Sequence, residues 1–348
     1  MEAPLGTRPF VLKEYRRGTQ TVWERNPSYW DRGLPYLDQV IAEIAPQYET
    51  RQALLMAGRV EANTFFSAVT DEDYRRMQQE RPDYHFVGDL KSHVLNTIYF
   101  NTTQPPFNDI RVRQAVSLAI NRQAWVDSLH YGEGCLYHGP IPCGQEAWQL
   151  PLDRYPEPLR KFLVGYDPDE AKRLLAAAGF PNGLATTLTY AATVYGATWD
   201  SRYELAASDL AKVGINATLQ PQEYGRYIAS TYLGQFEGAA IGPVTPYAEP
   251  DYFLYGHFFP GQAANRSSVD DPALNDLLVQ QRTAMDPAER LRIVHQIQLY
   301  LADRAYYVYL PTGYTNNAVP PYVQGFVPAK VQGSYGVGKM WMHAWLER

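Results

Sequence analysis

The stretch that decides the fold is NTTQPPFNDIRVRQA, residues 101–115. Its two consecutive prolines, Pro105 and Pro106, interrupt regular structure, because proline lacks the amide hydrogen that a helix or central strand needs. Directly afterwards, Asp109 is placed to cap a new helix. The apolar residues that follow have helical spacing: Val112, Ala115, Val116, Ala119 and Ile120. We therefore predict a boundary between two structural units at residues 101–108.

Downstream of this boundary, strand-like and helix-like segments alternate. The strand-like runs are residues 186–190, 215–220, 238–242 and 306–310. Asp167, Ser201 and Asp286 each precede a glutamate by three residues and open a helical segment, as in a capping box. This alternation predicts an α/β domain with a largely parallel sheet, in which ligands bind beyond the carboxyl ends of the strands. The loops after Tyr190 and Gly242 are the first places to look for a site.

The first hundred residues have a different pattern. Residues 19–25, 38–45 and 96–101 read as strands, and residues 50–57 as a helix that Gly58 ends. A second crossing between units is predicted at 310–313, the stretch LPTG. We expect residues 109–312 to form one lobe. Residues 1–108 plus 313–348 then form part of the other, and the two crossings define a hinge.

Composition and charge exclude several classes of protein. Hydrophobic residues make up 45% of the chain and charged residues 20%, which is ordinary for a globular protein. A net charge of −6 with scattered lysines and arginines provides no basic stripe for a nucleic acid. No apolar run approaches the length of about 18 residues that a membrane span requires. The 7 histidines show no HxH or HExxH spacing, so we predict neither a metal site nor a cofactor.

The two cysteines, Cys135 and Cys143, lie close together in a loop rich in glycine and proline. Their spacing matches neither CxxC nor a zinc pattern. A disulfide in an oxidising compartment and two free thiols both fit this arrangement.

Several segments, in the same order from residue 6 to about residue 345, resemble the type 5 family of bacterial solute-binding proteins. GTRPFVL at 6–12 followed by ERNPSYW at 24–30 is similar to the family's GTGPF and ERNPxYW motifs. PFNDIRVRQA at 106–115 is similar to its PFxDxRVRQA motif. Later stretches are also similar to the family: YDPDEA at 166–171, AGFP at 178–181, PDYF at 250–253 and DPAER at 286–290.

This resemblance implies a two-lobed, periplasmic-binding-protein-like fold of type II that closes on its ligand by hinge motion. It also implies the substrate-binding component of an ABC importer, which captures a peptide or another small oligomeric solute. Such a protein delivers the solute to a membrane permease and resides in the periplasm or, anchored to the membrane, outside the cell. We expect a monomer. Family members carry a long segment before the GTGPF motif, so we expect the first lobe to be incomplete here and Met1 to be an internal or miscalled start; an authentic short relative of the family is the alternative.

Peptide-binding relatives place an aspartate four residues before the proline of the Glu-Pro pair, where it binds the ligand's amino group. Here Glu249-Pro250 is the pair, and the anchor position is Pro246. Without that carboxylate, an oligosaccharide held by ring stacking and neutral hydrogen bonds becomes a competing ligand for the same family. The chain's 27 tyrosines and 7 tryptophans suit either ligand. The candidate ligand-binding residues are Tyr190, Tyr195, Trp199, Thr245, Tyr247, Glu249, Asp251 and Tyr314.

Each candidate also has a structural interpretation. The aromatic rings can be ordinary packing residues, and Glu249 can be a capping carboxylate. A glycoside hydrolase that uses Glu249 and Asp251 as its acid pair is a distant alternative. Acidic pairs at this spacing are common, and the chain has no GxSxG elbow, phosphate-binding loop or dinucleotide fingerprint. We therefore predict that the protein is not an enzyme. Transport and sensing remain equally compatible with the sequence.

Overall fold

The structure is a computed structural model that describes residues 6–63, 69–90, 94–195, 197–245, 247–328 and 340–347. The chain divides into two compact units. The first comprises Met1–Leu90, Val194–Gly196 and Thr315–Arg348, and the second comprises Lys91–Thr193 and Ala197–Tyr314.

The first unit contains small antiparallel sheets and helices. Its strands β1 (Phe10–Arg16), β2 (Gln20–Arg25) and β3 (Gln39–Glu43) form a meander. Its described residues also form two further strand pairs and helices: β4 (His85–Leu90) with β10 (Thr315–Val319), β11 (Val323–Gln324) with β12 (Trp345–Leu346), and α1 (Tyr48–Met56) and α2 (Asp71–Glu80). The pairing of β4 with β10 joins the early and late parts of the chain within this unit.

The second unit is organised around a five-stranded sheet with the order β7-β6-β8-β5-β9. Its strands are β5 (Leu95–Phe100), β6 (Leu184–Ala191), β7 (Ile215–Gln222), β8 (Ala239–Val244) and β9 (Tyr307–Leu310). Strand β6 is parallel to β7 and β8, whereas β5 is antiparallel to both β8 and β9. The sheet is therefore mixed, and not largely parallel as the sequence pattern predicts.

The position of β5 moves the first boundary. The predicted boundary at residues 101–108 assigns β5 to the first lobe, but β5 is hydrogen-bonded between β8 and β9. The division falls instead between residues 90 and 91, and the second one between residues 314 and 315. All six residues of β5 are buried, so the strand belongs to the interior of the second unit. The Pro105-Pro106 break is a turn inside that unit.

The helices of the second unit are α3 (Ile110–Ala119), α4 (Arg122–His130), α5 (Glu157–Val164), α6 (Pro168–Ala177), α7 (Ala197–Lys212), α8 (Tyr224–Ala229), α9 (Pro250–Phe258), α10 (Pro272–Thr283) and α11 (Pro287–Leu301). The predicted caps of three helices are present: Asp109, Asp167 and Asp286 accept hydrogen bonds from first-turn amides. Ser201 does not cap, because α7 begins at Ala197 and Ser201 lies inside it.

One face of the sheet packs against α9, α10 and α11. The core there is formed by large apolar side chains from β5, β8 and these helices, among them Tyr99, Phe253, Leu278 and Ile297. Cys135 and Cys143 form a disulfide with α-carbons 6.4 Å apart, which resolves the two alternatives that the sequence leaves open. Cys135 also pairs through two backbone hydrogen bonds with Thr312, just before the second division of the chain.

Candidate ligand-binding site

Four strands of the central sheet end at one edge. Strands β6, β8 and β9 finish there at Ala191, Val244 and Leu310, and β7 finishes beside them at Gln222. The antiparallel β5 starts at the same edge, since Leu95 pairs with Val244. Ligands of open α/β sheets bind beyond the carboxyl ends of the strands, so this edge is the candidate site of the second unit.

Tyr190 and Trp199 flank the end of β6 but have different surroundings. Tyr190 is half-buried on β6, and its ring lies 4.3 Å from the ring of Tyr203 on α7. Trp199 is 4% exposed, and the guanidinium of Arg202 lies 4.2 Å from its ring centre. The Trp199 side chain is therefore almost fully buried, with the Arg202 guanidinium against its ring.

Tyr195 and Tyr314 lie next to the divisions of the chain. Tyr195 is buried and belongs to the short segment Val194–Gly196 of the first unit. In that unit, Arg51 donates a hydrogen bond to the Val194 carbonyl at 3.0 Å. Tyr314 is half-buried and is the last residue of the second unit. The structure thus assigns Tyr195 to a different unit from the other seven candidates.

Thr245 and Tyr247 follow β8 and make direct contacts with other aromatic residues. The hydroxyls of Thr245 and Tyr232 are 2.6 Å apart. The Tyr247 ring lies against that of Tyr252, with the ring centres 3.9 Å apart and the planes tilted by 35°, and the Tyr247 carbonyl accepts a hydrogen bond from Gln145. Pro246, the position of the missing amine anchor, lies outside the described residues.

The two candidate carboxylates have partners inside the second unit. Glu249 caps α9 by accepting a hydrogen bond from the amide of Asp251, and it forms an ion pair with Arg290. Asp251 accepts a hydrogen bond from Gln281 and lies 3.4 Å from the guanidinium of Arg282. The structure therefore shows the capping role of Glu249. Both carboxylates link α9 to α10 and α11, which is an arrangement that stabilises the unit.

Sequence reasoning missed Arg266, which is fully buried next to the end of β8. Its backbone amide donates to the Tyr307 hydroxyl at 3.0 Å, and its Nη1 reaches the carbonyl of Pro243, the penultimate residue of β8, at 3.3 Å. Its guanidinium carbon lies 3.6 Å from the Tyr232 ring centre and 5.5 Å from that of Tyr99. The loop sequence NRSSV at 265–269 has no periodicity that would reveal this position.

The tyrosines around Arg266 form two layers. Tyr99, Tyr227 and Tyr307 are buried, with the hydroxyls of Tyr99 and Tyr227 2.7 Å apart. Tyr232 and Tyr252 are half-buried and form the outer layer. Burial raises the pKa of the Tyr232 hydroxyl, but the Arg266 charge and hydrogen bonds from Thr245 and Tyr252 outweigh burial and lower it. We call Arg266 and these five tyrosines the tyrosine cage.

Gly242 makes the cage possible. A β-carbon at this position of β8 would lie 2.3 Å from the Tyr227 hydroxyl oxygen, so any other residue would force Tyr227 to move. Directly across from Gly242 and Pro243 are Thr97 and Asn96 of β5, both fully buried. Their side-chain polar atoms have no hydrogen-bond partner among the described residues. Unsatisfied buried polar groups are rare in folded proteins and point to a functional role or an absent partner.

His138 lies beside the disulfide. Its side-chain nitrogen and the sulfurs of Cys135 and Cys143 lie within 4.8 Å of one another. Metals bind the thiolate form of cysteine, and these two sulfurs are bonded to each other. Burial lowers the pKa of His138 to about 3, and its Nε2 is hydrogen-bonded to the Thr312 hydroxyl at 2.8 Å. The group is therefore a structural tie between the loop and the segment at Thr312.

In the part of the chain that the structure describes, no helix has both the length and the apolar character needed to cross a membrane.

Comparison with known proteins shows the family. Residues 1–265 match the family described as bacterial extracellular solute-binding proteins, family 5 Middle. The chain is 27% identical over 345 residues to heme-binding protein A of Haemophilus influenzae, covering 96% of this chain and 59% of that protein. It is 26% identical over 310 residues to the dipeptide-binding protein of Escherichia coli, covering 87% of this chain and 55% of that protein. The chain thus spans somewhat more than half the length of these relatives.

Solved structures confirm the predicted α/β fold of the periplasmic-binding-protein type. The periplasmic binding protein DppA of Helicobacter pylori, solved with the peptide STSA, has a TM-score of 0.81 at 24% identity. The alignment covers 100% of this chain and 64% of that one. AgaA of A. tumefaciens, solved with agropinic acid, has a TM-score of 0.81 at 23% identity and covers 98% of this chain and 67% of that one. The chain belongs to family 5 of the bacterial extracellular solute-binding proteins.

Proposed function

We propose that this chain carries the ligand-binding part of the substrate-binding component of an ABC importer. It captures a peptide or another small oligomeric solute outside the cytoplasm, in the periplasm or at the outer cell surface, and delivers it to a membrane permease. The proposal rests on one observation about this family 5 chain. Thr245 and Tyr247, which follow the end of β8, contact residues of the tyrosine cage at the edge of the sheet. Relatives named as binding proteins argue against a catalytic role.

A peptide is the ligand we favour. The Escherichia coli relative is named for dipeptide binding, and the Helicobacter pylori structure contains a peptide. The mode of amine recognition must differ from the family pattern, because Pro246 supplies no carboxylate. Glu249 and Asp251 already have partners within the unit, which argues that stacking on aromatic rings contributes more than an ion pair to the amino group.

An oligosaccharide is the second candidate. Polar hydroxyls at the sheet edge and half-buried rings such as Tyr190 and Tyr247 suit a neutral, hydroxyl-rich ligand. The missing anchor at residue 246 weighs in the same direction. The identity of the captured solute decides between the two classes.

Native mass spectrometry of the complete protein, followed by fragmentation of the released solute, identifies that class directly. With this solute, Trp199→Ala and Tyr247→Ala are expected to weaken binding by about 1–3 kcal/mol, the range for losing a buried aromatic contact. Glu249→Gln and Asp251→Asn are expected to change affinity little. Tyr166→Ala, which removes an exposed ring on the segment before α6, is the matched control.

The reverse pattern would contradict the aromatic mode of recognition. A steep loss with Glu249→Gln or Asp251→Asn, and no loss with either aromatic variant, would assign amine binding to a displaced carboxylate. The transport role is tested separately by solute uptake in cells that carry the permease and lack this protein. Failure of the protein to restore uptake would overturn the importer proposal.

A further inference from the structure

We propose that Arg266 is a carboxylate-recognition residue and that its free guanidinium edge receives a carboxylate group of the ligand. The proposal rests on the function above only in attributing that carboxylate to the transported solute. Arg266 is fully buried, and Nε and Nη2 have no hydrogen-bond partner among the described residues. Burying a cation whose N–H donors have no acceptor costs folding free energy, so we expect an acceptor to bind there.

The free edge has the geometry of a carboxylate site. Nε and Nη2 lie on the same side of a guanidinium and together bind the two oxygens of a carboxylate. Two other arginines of this chain use that pair of nitrogens in this way. Arg292 binds both oxygens of Glu289 at 2.8 and 2.7 Å, and Arg81 binds both oxygens of Asp83 at 3.1 Å. In Arg266 only Nη1 is engaged, at Pro243.

The surroundings favour an acceptor from outside. Around Arg266 lie the hydroxyls and rings of the tyrosine cage, and His257, whose Nε2 is itself without a partner among the described residues. Ring faces attract the cation but do not accept the in-plane hydrogens of its edge. Burial lowers the pKa of Arg266, but the surrounding tyrosines outweigh this effect and raise it, so the side chain stays charged.

A path for the carboxylate runs through the outer layer of the cage. Tyr232 and Thr245 are half-buried, and a hydrogen bond of 2.6 Å joins them. Because the Tyr232 ring centre lies 3.6 Å from the guanidinium carbon, access to Arg266 requires the Tyr232 ring to rotate and this hydrogen bond to break. Thr245 and Tyr247, two of the residues predicted after β8, thus belong to the outer part of the proposed site, and Arg266 lies beneath them.

The test uses acetate as the probe and the complete protein, at an ionic strength held constant with sodium chloride. Saturation-transfer NMR on the methyl signal is expected to show saturable acetate binding, at least about tenfold stronger than binding of the uncharged acetamide. Arg266→Gln is expected to weaken acetate binding by about tenfold or more. Arg292→Gln removes the same charge from an exposed, already paired arginine and is expected to leave binding unchanged.

Equal binding of acetate and acetamide to the wild-type protein would overturn the proposal, and this comparison does not depend on any variant folding. Full acetate binding by a folded Arg266→Gln protein would also overturn it. Tighter binding of inorganic phosphate than of acetate would overturn the carboxylate assignment. If the wild-type protein binds acetate but does not restore solute uptake in cells that lack it, the importer proposal is overturned and the carboxylate site is not.

Discussion

Arg122 and Arg266 are both fully buried in the second unit, and they are held in opposite ways. Arg122, at the start of α4, has a partner for every side-chain nitrogen: it donates to the carbonyls of Ser117, Gly165 and Tyr309 and to the Ser117 hydroxyl, at 2.9–3.3 Å. Arg266 makes one long hydrogen bond and otherwise faces aromatic rings. Burial alone therefore does not distinguish a structural arginine from a binding one.

The two regions also differ in their carboxylates. Near Arg122, Asp209 is buried and raises the pKa of the guanidinium, although burial dominates and lowers it to about 10. Asp209 itself accepts hydrogen bonds from Trp125, Lys212 and the amide of Asn121. The groups that raise the pKa of Arg266 are tyrosine hydroxyls, and no carboxylate is among them. Every side-chain nitrogen of Arg122 thus has an acceptor without a ligand, whereas two nitrogens of Arg266 have no acceptor among the described residues.

The largest expected effect comes from removing each arginine. Arg122→Met is expected to lower the free energy of unfolding by about 3–5 kcal/mol, because buried carbonyls lose their donors. Arg266→Met is expected to change it by less than about 1 kcal/mol, or to raise it, because the lost charge has no anionic partner in the unliganded protein. Urea unfolding of both variants measures the difference. Equal losses would show that the tyrosine cage satisfies its cation as fully as the carbonyls do.

A smaller effect is expected from the carboxylate of the Arg122 region. Asp209→Asn keeps the shape of the side chain but removes the charge that accepts three hydrogen bonds, so we expect a loss of about 1–3 kcal/mol in the free energy of unfolding. Asp286→Asn is the control, since asparagine caps a helix as well as aspartate does. A loss as large in the control would mean that charge removal, and not the buried network, causes the effect.

A third expected effect is a change in the pKa of His257, which lies beside Arg266. Burial, followed by the Arg266 charge, lowers the pKa of His257 to about 3, while its Nδ1 donates to the Tyr252 carbonyl. In Arg266→Met we expect the pKa of His257 to rise but to stay below its usual range, because burial remains. NMR titration of the histidine ring proton measures it. An unchanged pKa would show that the charge of Arg266 does not act on His257.

The same shift has a defined sign for stability. Because the folded pKa of His257 is depressed, the unfolded chain takes up the proton first as the pH falls below about 6.5. Its contribution to stability is therefore fully present above about pH 6.5 and is lost toward pH 3, by about 1.4 kcal/mol per pH unit. Because Arg266→Met should raise the folded pKa of His257, the pH range over which stability is lost should end at a higher pH. The difference in the free energy of unfolding between pH 7 and pH 4, measured with urea, should then be smaller than in the wild-type protein.

Sequence reasoning located most of the elements because their signals are local. The predicted strand at 215–220 is observed at Ile215–Gln222, and the predicted helix opened by Asp286 is observed at Pro287–Leu301. An acidic cap followed by proline fixes a helix start through contacts within one turn. The predicted start at Ser201 was wrong, since α7 begins four residues earlier although Ser201 and Glu204 have the spacing of a capping box.

The sequence by itself determined the family, the α/β class and the loop after β8 as the place to look, since motifs, caps and periodicity are properties of neighbouring residues. Only the tertiary structure decided that β5 enters the second unit's sheet, because a strand's partners are chosen by long-range pairing. It alone decided, too, that Glu249 and Asp251 are paired within the unit while Arg266 is not. Whether a charged side chain finds a partner depends on residues far apart in the chain, and no local pattern records it.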